Sequence, residues 1–345
     1  MVRYVIKRVI LALITAVIIL SLTFILMKLV PMERMAGSES TLFAYYEKQV
    51  SLGYMVSFKG VAHPELGDLY YSYTEKGTTY YYYVKPVMQQ YINWIGNIVT
   101  KWDWGVSQKI EPNVNVTVMI LERLGVTIKV NFLSIFISIP LGIAIGILAA
   151  LRKNKPTDHV ISTGIMILNS IPGFILLTLL MLLLCYNNHW LPTQWPSETA
   201  SAKTKFLGYL IPLIYLSSGS IAGYARTIRA ELCEVMASEY LLLARTKGLT
   251  RKQAIMRHAL RNALVPIFPG ILLAVFGLLS GATILEKIYG INGIGKLYID
   301  AFNGKDYNVL FVDMAIFTTM GLLTGVLADI SYGFIDPRIR MGAKK

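Results

Sequence analysis

Charged residues are scarce in this chain of 345 residues, and this scarcity indicates its broad class. Asp, Glu, Lys and Arg make up 15% of the sequence, whereas hydrophobic residues make up 54%. Typical soluble domains carry about 25% charged residues. Because several apolar runs also approach the length of a membrane span, the sequence predicts an all-α polytopic membrane protein.

Motifs for catalysis, nucleotide binding and metal binding are missing from the sequence. It contains no H-E-x-x-H, no G-x-S-x-G and no phosphate-binding G-x-x-x-x-G-K-S/T run. The two cysteines, Cys185 and Cys233, are interpreted as packing residues rather than as a disulfide. We therefore predict that this chain is not an enzyme and needs no cofactor or metal. The histidines show no metal-ligand spacing: His63, His159, His189 and His258.

Long apolar runs predict six transmembrane helices, at about residues 9–30, 126–151, 160–186, 206–225, 264–285 and 309–332. The first run could instead belong to a cleaved signal peptide, whose apolar core usually has about 7–15 residues and precedes small residues. This run is longer and ends at Lys28-Leu29-Val30-Pro31. We therefore interpret residues 1–30 as an N-terminal transmembrane helix.

A proline–glycine pair, Pro172-Gly173, stands in the middle of the third predicted span. Proline interrupts the hydrogen-bond ladder of a helix, and a membrane tolerates the freed carbonyls only where protein or a cavity satisfies them. The pair therefore predicts a helix break.

Residues 31–125 are polar, aromatic and mixed in charge, and we predict an extracellular or periplasmic loop domain there. The run Tyr70–Tyr83 is rich in Tyr and Thr, which favour strands, and Gly77 supplies turn chemistry, so the run predicts a small β-hairpin. Its tyrosines could form a cap near the lipid headgroups or a binding surface. Val87–Trp104 has the pattern of an amphipathic helix at the outer surface.

Basic residues are concentrated in four segments, 1–8, 151–159, 226–262 and 336–345. These segments hold 18 basic and 5 acidic residues and so carry the whole formal net charge of +13. The positive-inside rule places them in the cytoplasm, with both termini inside and residues 336–345 as a cytoplasmic tail. Nucleic-acid binding is not indicated, because no compact basic fold with aromatic stacking residues accompanies this charge.

The basic segment, Glu239–Pro266, carries signals for two helices joined by a turn. Ser238 and Gly248 stand where they can begin and end a first helix. Thr250 can begin a second one through a capping box with Gln253. From the residues alone, the basic segment is either a docking piece for a partner protein or an inner loop that contacts anionic lipid headgroups.

The basic segment resembles the cytoplasmic coupling loop of ABC importer permeases, most closely that of the oligopeptide/dipeptide branch. That branch reads roughly D-Y-x-x-x-A-x-x-K-G-L followed by R-H-A-L-x-N-x-x-x-P. Glu239 stands where the branch usually has Asp. The positions that match are Tyr240, Ala244, Lys247, Gly248, Leu249, Arg257, His258, Ala259, Leu260, Asn262 and Pro266.

The resemblance covers nearly the whole chain, in the same order of motifs. Further matching phrases are Leu22-Thr23-Phe24, Trp104-Gly105-Val106-Ser107, Ile171-Pro172-Gly173-Phe174, Glu286 with Gly293-Ile294-Gly295, Asp306-Tyr307, and Asp336-Pro337-Arg338. The departures lie on the predicted outer side, where the family's P-G-D-P is missing after Pro31 and the first glycine of its G-D-x-G phrase is missing. The family's L-G-L-D-x-P run is split between Leu52-Gly53 and Lys85-Pro86, so we interpret about residues 55–84 as an insertion.

The resemblance implies the type I importer fold, with residues 126–335 as a core permease domain of five helices that contains a coupling loop, residues 231–266. It implies that this chain forms half of the translocation pathway for peptides in a bacterial or archaeal cell membrane. The implied partners are a sister permease in a heterodimer, two cytoplasmic ATP-binding subunits that hydrolyse ATP, an extracellular solute-binding protein and the lipid bilayer. The residues implied to couple to the ATPase are Glu239, Tyr240, Leu243, Ala244, Lys247, Gly248, Leu249, Arg257, His258 and Asn262. Pro172 and Gly173 are expected near the pathway.

Two alternatives remain open at this point. A transporter of the same class could carry nickel chelates or another small solute, because selectivity in this branch is set largely by the binding protein. An ion-coupled secondary transporter would need an ionisable group near the membrane midplane. Asp313 and Asp329 instead lie near opposite ends of the sixth predicted span, and Lys129 lies near the outer end of the second. No substrate-binding residue is indicated.

Overall fold

The computed structural model describes residues 2–29, 38–66, 69–75, 77–279 and 281–335. The α-helices are α1 Val2–Leu29, α2 Glu39–Ser51, α3 Val87–Lys101, α4 Val116–Leu151, α5 Pro156–Ser170, α6 Gly173–Met181, α7 Ala202–Met236, α8 Glu239–Thr246, α9 Arg251–Ala254, α10 Leu260–Leu264, α11 Phe268–Phe276, α12 Thr283–Tyr289, α13 Ile294–Gly304 and α14 Tyr307–Ile335. The strands are β1 Met55–Lys59, β2 Tyr71–Glu75 and β3 Thr78–Val84. The chain divides into two compact units, which are unit 1 (residues 1–8, 126–291 and 323–345) and unit 2 (residues 9–125 and 292–322).

Within the described ranges, five helices are long and apolar enough to cross a membrane, and a bent pair of helices makes a sixth span if the pair is counted as one. The five are Val5–Leu29, Val116–Leu151, Ala202–Met236, Arg251–Leu279 and Tyr307–Ala328. The bent pair, Pro156–Ser170 and Gly173–Asn187, turns through 103° at the predicted break. The prediction of an all-α polytopic membrane protein is confirmed, and the predicted number of six spans is reached when the bent pair is counted as one span.

Several helices extend well beyond the apolar runs from which the spans were predicted. The second span begins at Val116, so the predicted boundary between residues 125 and 126 falls inside α4. The fourth continues to Met236, eleven residues past its predicted end. The fifth begins at Arg251 and ends at Leu279, and α12 is separate from it. Arg, Glu, Leu and Met all favour helices, so a helix need not stop where its apolar run stops.

In unit 2, the predicted hairpin is present and is part of a larger sheet. Strands β2 and β3 pair antiparallel with Tyr71 opposite Tyr82, and β1 adds a third strand in the order β1-β3-β2. At the two ends of residues 55–84, Met55 pairs with Val84, and the Lys85 amide donates to the Tyr54 carbonyl at 3.0 Å. The two ends of the segment are therefore neighbours in unit 2, and its interpretation as an insertion stays a prediction.

Tyrosines on one face of this sheet pack against α2. Tyr46 of α2 stacks on Tyr71 with ring centroids 4.3 Å apart and lies 5.6 Å from Tyr82. The Tyr82 hydroxyl donates a hydrogen bond to the Glu47 carboxylate at 2.8 Å. Burial, together with this carboxylate, raises the pKa of Tyr82 above its usual range. Tyr46, Tyr71 and Tyr82 therefore have a packing role.

Helix α3 forms within the predicted amphipathic stretch, but its aromatic face is buried within unit 2 rather than lying on a surface. Trp94 is 6% exposed. It stacks on Phe24 of α1 at 4.8 Å and meets Phe311 of α14 edge to face at 4.9 Å. An amphipathic pattern predicts one apolar face but does not indicate whether lipid or protein covers it.

Two of the family-like phrases, 199 residues apart in the chain, meet in unit 2. The buried Asp306 carboxylate accepts hydrogen bonds from the Ser107 hydroxyl at 2.6 Å and from the Gln108 amide at 3.0 Å. The Asn308 side chain donates to the Val106 carbonyl at 2.8 Å. The stretch around Ser107 and the start of α14 are thus joined by hydrogen bonds to a buried carboxylate, which are stronger than bonds between neutral groups.

We predict that residues 55–84 can be replaced by a two-glycine link without loss of ATPase assembly, because Tyr54 and Lys85 are already hydrogen-bonded neighbours. The measurement is the amount of the expected ATPase subunit that co-purifies with this chain from membranes. As a control, Asp306→Ala removes the acceptor of several buried donors and should cost about 3 kcal/mol of stability. Loss of ATPase subunits on deletion of 55–84 would show that this segment belongs to the permease scaffold.

Candidate functional site

The basic segment begins with the short helix α8, which follows α7 almost directly. Only Ala237 and Ser238 separate the two helices. Ser238 has the extended backbone of an N-cap residue, but its hydroxyl donates to the Val235 carbonyl at 2.6 Å and does not accept from α8. The predicted position of the cap is confirmed. The hydroxyl of Ser238, however, binds the end of α7 instead of the first amides of α8.

At its other end, α8 finishes in a Schellman motif. Gly248 has a φ of +94°, in the left-handed region that favours glycine. The Gly248 amide donates to the Arg245 carbonyl at 3.0 Å, and the Leu249 amide donates to the Ala244 carbonyl at 3.4 Å. These are the two bonds that define the motif, and they confirm the glycine stop that the sequence predicts.

The second helix of the basic segment begins as predicted but continues further. Thr250 and Gln253 form both bonds of a capping box at the start of α9. The helical run then extends from Arg251 to Leu279 as the fifth span, through a π-helical turn at Ile255–Ala259 and a tighter 3-10 turn at Val265–Ile267. The 3-10 turn accommodates Pro266. This proline was predicted to lie where the fifth span begins, separate from the second helix of the basic segment.

Leu241 anchors α8 to the spans, although it is not among the residues predicted to have a role. Its side chain is 5% exposed and lies in a cluster with Leu232 of α7, Ala254 and Ile255. Leu249, beyond the Schellman motif, packs against the same cluster. The neighbouring leucines are also apolar, so the sequence alone had no signal for which of the three faces inward.

The remaining predicted coupling residues lie mostly on the accessible side of the basic segment. Tyr240 and Asn262 are joined, because the Asn262 amide donates to the Tyr240 hydroxyl at 2.9 Å. This bond ties α8 to α10 across 22 residues of sequence. Ala244 and Leu249 are half-buried, and the exposed members are Glu239, Tyr240, Leu243, Lys247, Gly248, Arg257, His258 and Asn262.

This surface offers groups for binding a protein rather than for catalysis. Leu242, 62% exposed, lies beside the exposed Leu243. A groove of about 290 Å³ runs between the end of α7, α8 and the start of α9, with Arg245 and Arg251 in its lining. In the part of the chain that the structure covers, no group of three or more His, Cys, Asp or Glu side chains could hold a metal ion.

The helix break of the third span is a second candidate site. Pro172 precedes α6, and a side chain on Gly173 would come within 2.7 Å of the Tyr215 hydroxyl of α7. Glycine therefore leaves room for the end of the Tyr215 side chain beside the break. Asn169 and Ser170, at the end of α5, are exposed beside Pro172 and Gly173.

Together these features define a polytopic helical membrane protein whose basic segment is folded into two helices joined by a turn. The chain belongs to the family described as "Binding-protein-dependent transport system inner membrane component", whose model matches residues 142–341. The predicted resemblance to ABC importer permeases is thereby confirmed. The chain is a membrane component of a transport system that depends on a binding protein, and it is not an enzyme.

Several relatives align with most of this chain. The dipeptide transport system permease protein DppB of Bacillus subtilis is 30% identical over 344 residues, which cover 100% of both chains. The oligopeptide transport system permease protein OppB of Haemophilus influenzae is 28% identical over 341 residues, covering 99% of this chain and 100% of the relative. OppB of Escherichia coli is 30% identical over 260 residues, covering 75% and 83% respectively.

We predict that Leu241→Ala loosens α8 while Leu242→Ala does not. Removing a buried leucine side chain costs about 2 kcal/mol or more, which corresponds to about a 30-fold increase in local opening. Leu242 is the matched control, since the same change there removes an exposed side chain. Hydrogen exchange of the α8 amides, followed by mass spectrometry, measures the opening. Equal exchange in the two variants would contradict the assignment of Leu241 as the anchor.

Proposed function

We propose that this chain forms half of the translocation pathway of an ATP-driven peptide importer, and that the basic segment is its contact with a cytoplasmic ATPase subunit. The observation that carries the proposal is the construction of α8. Leu241 and the Schellman motif hold α8 in place, while Tyr240, Leu242 and Leu243 stand exposed among basic side chains. Apolar side chains exposed on a rigid loop are typical of a protein interface.

The proposed assembly contains this chain and a sister permease as a heterodimer, two ATP-binding subunits and an extracellular solute-binding protein. Membership of a binding-protein-dependent family supports the last two kinds of partner. The concentration of basic residues in the segments 1–8, 151–159, 226–262 and 336–345 supports an orientation with both termini in the cytoplasm. In that orientation α8 faces the compartment that contains ATP.

The proposed mechanism is a rigid-body movement driven from the ATPase. Closure of the ATPase subunits around ATP displaces α8, which lies in a cleft of one of them. Because two residues join α8 to α7 and Leu241 packs both helices together, the displacement is passed to α7. The spans then exchange an inward-open for an outward-open packing. ATP hydrolysis belongs to the partner, since this sequence contains no phosphate-binding loop.

Peptides are the proposed substrate class, with the helix break at Pro172 and Gly173 beside the pathway. Relatives named as dipeptide and oligopeptide permeases, some aligned over nearly the whole chain, support this substrate. The break supports the placement of the pathway, because helix breaks within a membrane occur where protein or a water-filled cavity satisfies the backbone. Nickel chelates and other small solutes are the alternative for the same machinery.

We predict that Ala244→Trp and Gly248→Pro each abolish ATPase association and uptake while the permease still inserts into the membrane. The tryptophan would block close approach to half-buried Ala244, and proline cannot adopt the φ of +94° found at Gly248. Co-purification of the ATPase subunits and uptake by whole cells are the measurements.

Matched controls separate these effects from general damage. Gly248→Asn should retain association, because asparagine tolerates the left-handed conformation. Ala200→Trp places the same bulky residue at a half-buried alanine in the loop before α7, outside the basic segment. Full uptake by both Ala244→Trp and Gly248→Pro would rule out α8 as the coupling helix.

The substrate class is tested with the reconstituted transporter and its cognate binding protein. ATP hydrolysis is measured after loading the binding protein with a mixture of dipeptides and tripeptides, or with a nickel chelate. We expect stimulation by the peptide-loaded protein to exceed that by the chelate-loaded protein by about tenfold, in keeping with substrate discrimination of about 1.4 kcal/mol. If only the chelate-loaded binding protein stimulated hydrolysis, the substrate would be a nickel chelate and not a peptide.

A further inference from the structure

Helix α7 contacts the third span along one side, from the helix break to the far end of α5. The contacting residues of α7 recur at helical spacing and therefore share one face. They are Tyr215 against Gly173, Ala222 and Ala225 packed with Ile165, and Arg229 with Asp158. The first two contacts are made by small or apolar groups, and the last is ionic.

The ionic contact is a two-point pair. Arg229 Nε donates to Asp158 Oδ1 at 2.5 Å, and Arg229 Nη2 donates to Asp158 Oδ2 at 2.8 Å. The Asp158 side chain is 1% exposed, whereas that of Arg229 is 31% exposed. The Asn154 amide and the Ser162 hydroxyl donate to the same carboxylate at 2.9 and 3.3 Å. The buried carboxylate is thus fully engaged, and donors on α5 and in the turn before it help to fix its orientation.

The position of this pair along the two helices is informative. Arg229 is seven residues from the end of α7, about 10 Å along the helix axis, and α8 begins three residues after that end. On the other helix, Asp158 lies near the start of α5. The end of α5, at Ser170, is close to the break at Pro172. The pair therefore connects the helix that carries α8 to the helix that leads to the break.

The contact between α7 and α4 is of another kind. Side chains added at Gly142 and Gly146 of α4 would come within 2.7 Å of Tyr224 and Ala225 of α7, so these helices touch through small residues. Elsewhere on the same two helices, the buried Ser134 and Ser217 hydroxyls lie 3.3 Å apart, a hydrogen bond between neutral groups and therefore weaker than an ionic one. A bidentate pair of arginine and carboxylate fixes a direction. Between α5 and α7, it opposes sliding and rotation that the apolar contacts would permit.

We propose that the Asp158–Arg229 pair is a positioning clamp that makes α5 follow α7, so that movement of α8 reaches the helix break at Pro172 and Gly173. This inference rests on the proposed function, because it requires α8 to be the part that the ATPases move. Neither residue contacts substrate or nucleotide in this role. The pair transmits a displacement.

The test uses the complete transporter in liposomes, with a reporter at the break. Cys185 and Cys233 are replaced by alanine, and the exposed Ser170 is changed to cysteine. The rate at which a water-soluble maleimide labels this cysteine is measured without nucleotide and with ATP plus vanadate. The ratio of the two rates reports the nucleotide response of the break, and no transported substrate needs to be known.

Asp158→Asn and Arg229→Gln are compared alone and combined. A single change leaves one charged partner without the other and should lower the thermal unfolding midpoint, whereas the double change removes both charges and should recover most of it. We expect the nucleotide response to fall by about fivefold or more in the double variant, within the range of coupling changes caused by such mutations. ATPase co-purification and hydrolysis should remain. In the Arg229→Lys variant, which keeps the charge and loses the two-point geometry, the nucleotide response of the break should be weak.

The control is Thr157→Ala, which removes an exposed hydrogen bond from Arg152 at 3.1 Å in the same turn and should leave the response unchanged. A double variant whose nucleotide response equals that of the unaltered pair would overturn the clamp and leave the pair a stabilising role only. Failure of the proposed function would look different. The ATPase subunits would then be lost from every variant and from the unaltered transporter, and labelling at residue 170 would ignore nucleotide throughout.

Discussion

The burial of Leu241 between α7 and the start of the fifth span is the interaction on which the arrangement of the basic segment depends. Without it, α8 would be a helix of eight residues, too short to be stable by itself in water. The Schellman motif at Gly248 and the capping box at Thr250 then define the turn that follows. Rigidity here is a property of side-chain packing, and the proposed coupling to an ATPase subunit would need such rigidity.

Buried polar groups serve as fixed points at two places in the molecule. In unit 2, Asp306 collects donors from the stretch around Ser107 and so fixes the start of α14. In unit 1, Asp158 performs a comparable task between α5 and α7. In each case a carboxylate removed from water needs hydrogen-bond donors, and specific partners supply them: at Asp306 the donors meet on Oδ2, and at Asp158 they reach both oxygens. The wide apolar faces of the spans do not impose such exact positions.

Much of the architecture was predictable from local sequence. Six spans follow from the apolar runs, the break from Pro172-Gly173, and the turn of the basic segment from Gly248 and Thr250. Other features were not predictable. Helix α7 continues past its apolar run because charged residues also favour helices, and Trp94 lies in a protein core because periodicity does not reveal what covers an apolar face. Strand β1 is short and gains its stability from pairing with β3.

The sequence by itself determined the class of protein, its spans and the residues that turn the basic segment, because hydropathy, helix breaks and caps act over a few neighbouring residues. The tertiary structure alone decided which of three successive leucines anchors α8, and that Tyr240 meets Asn262. It also decided that Asp158 meets Arg229 and that Ser107 meets Asp306. These contacts join residues far apart in the chain, and only the packing of whole helices brings them together.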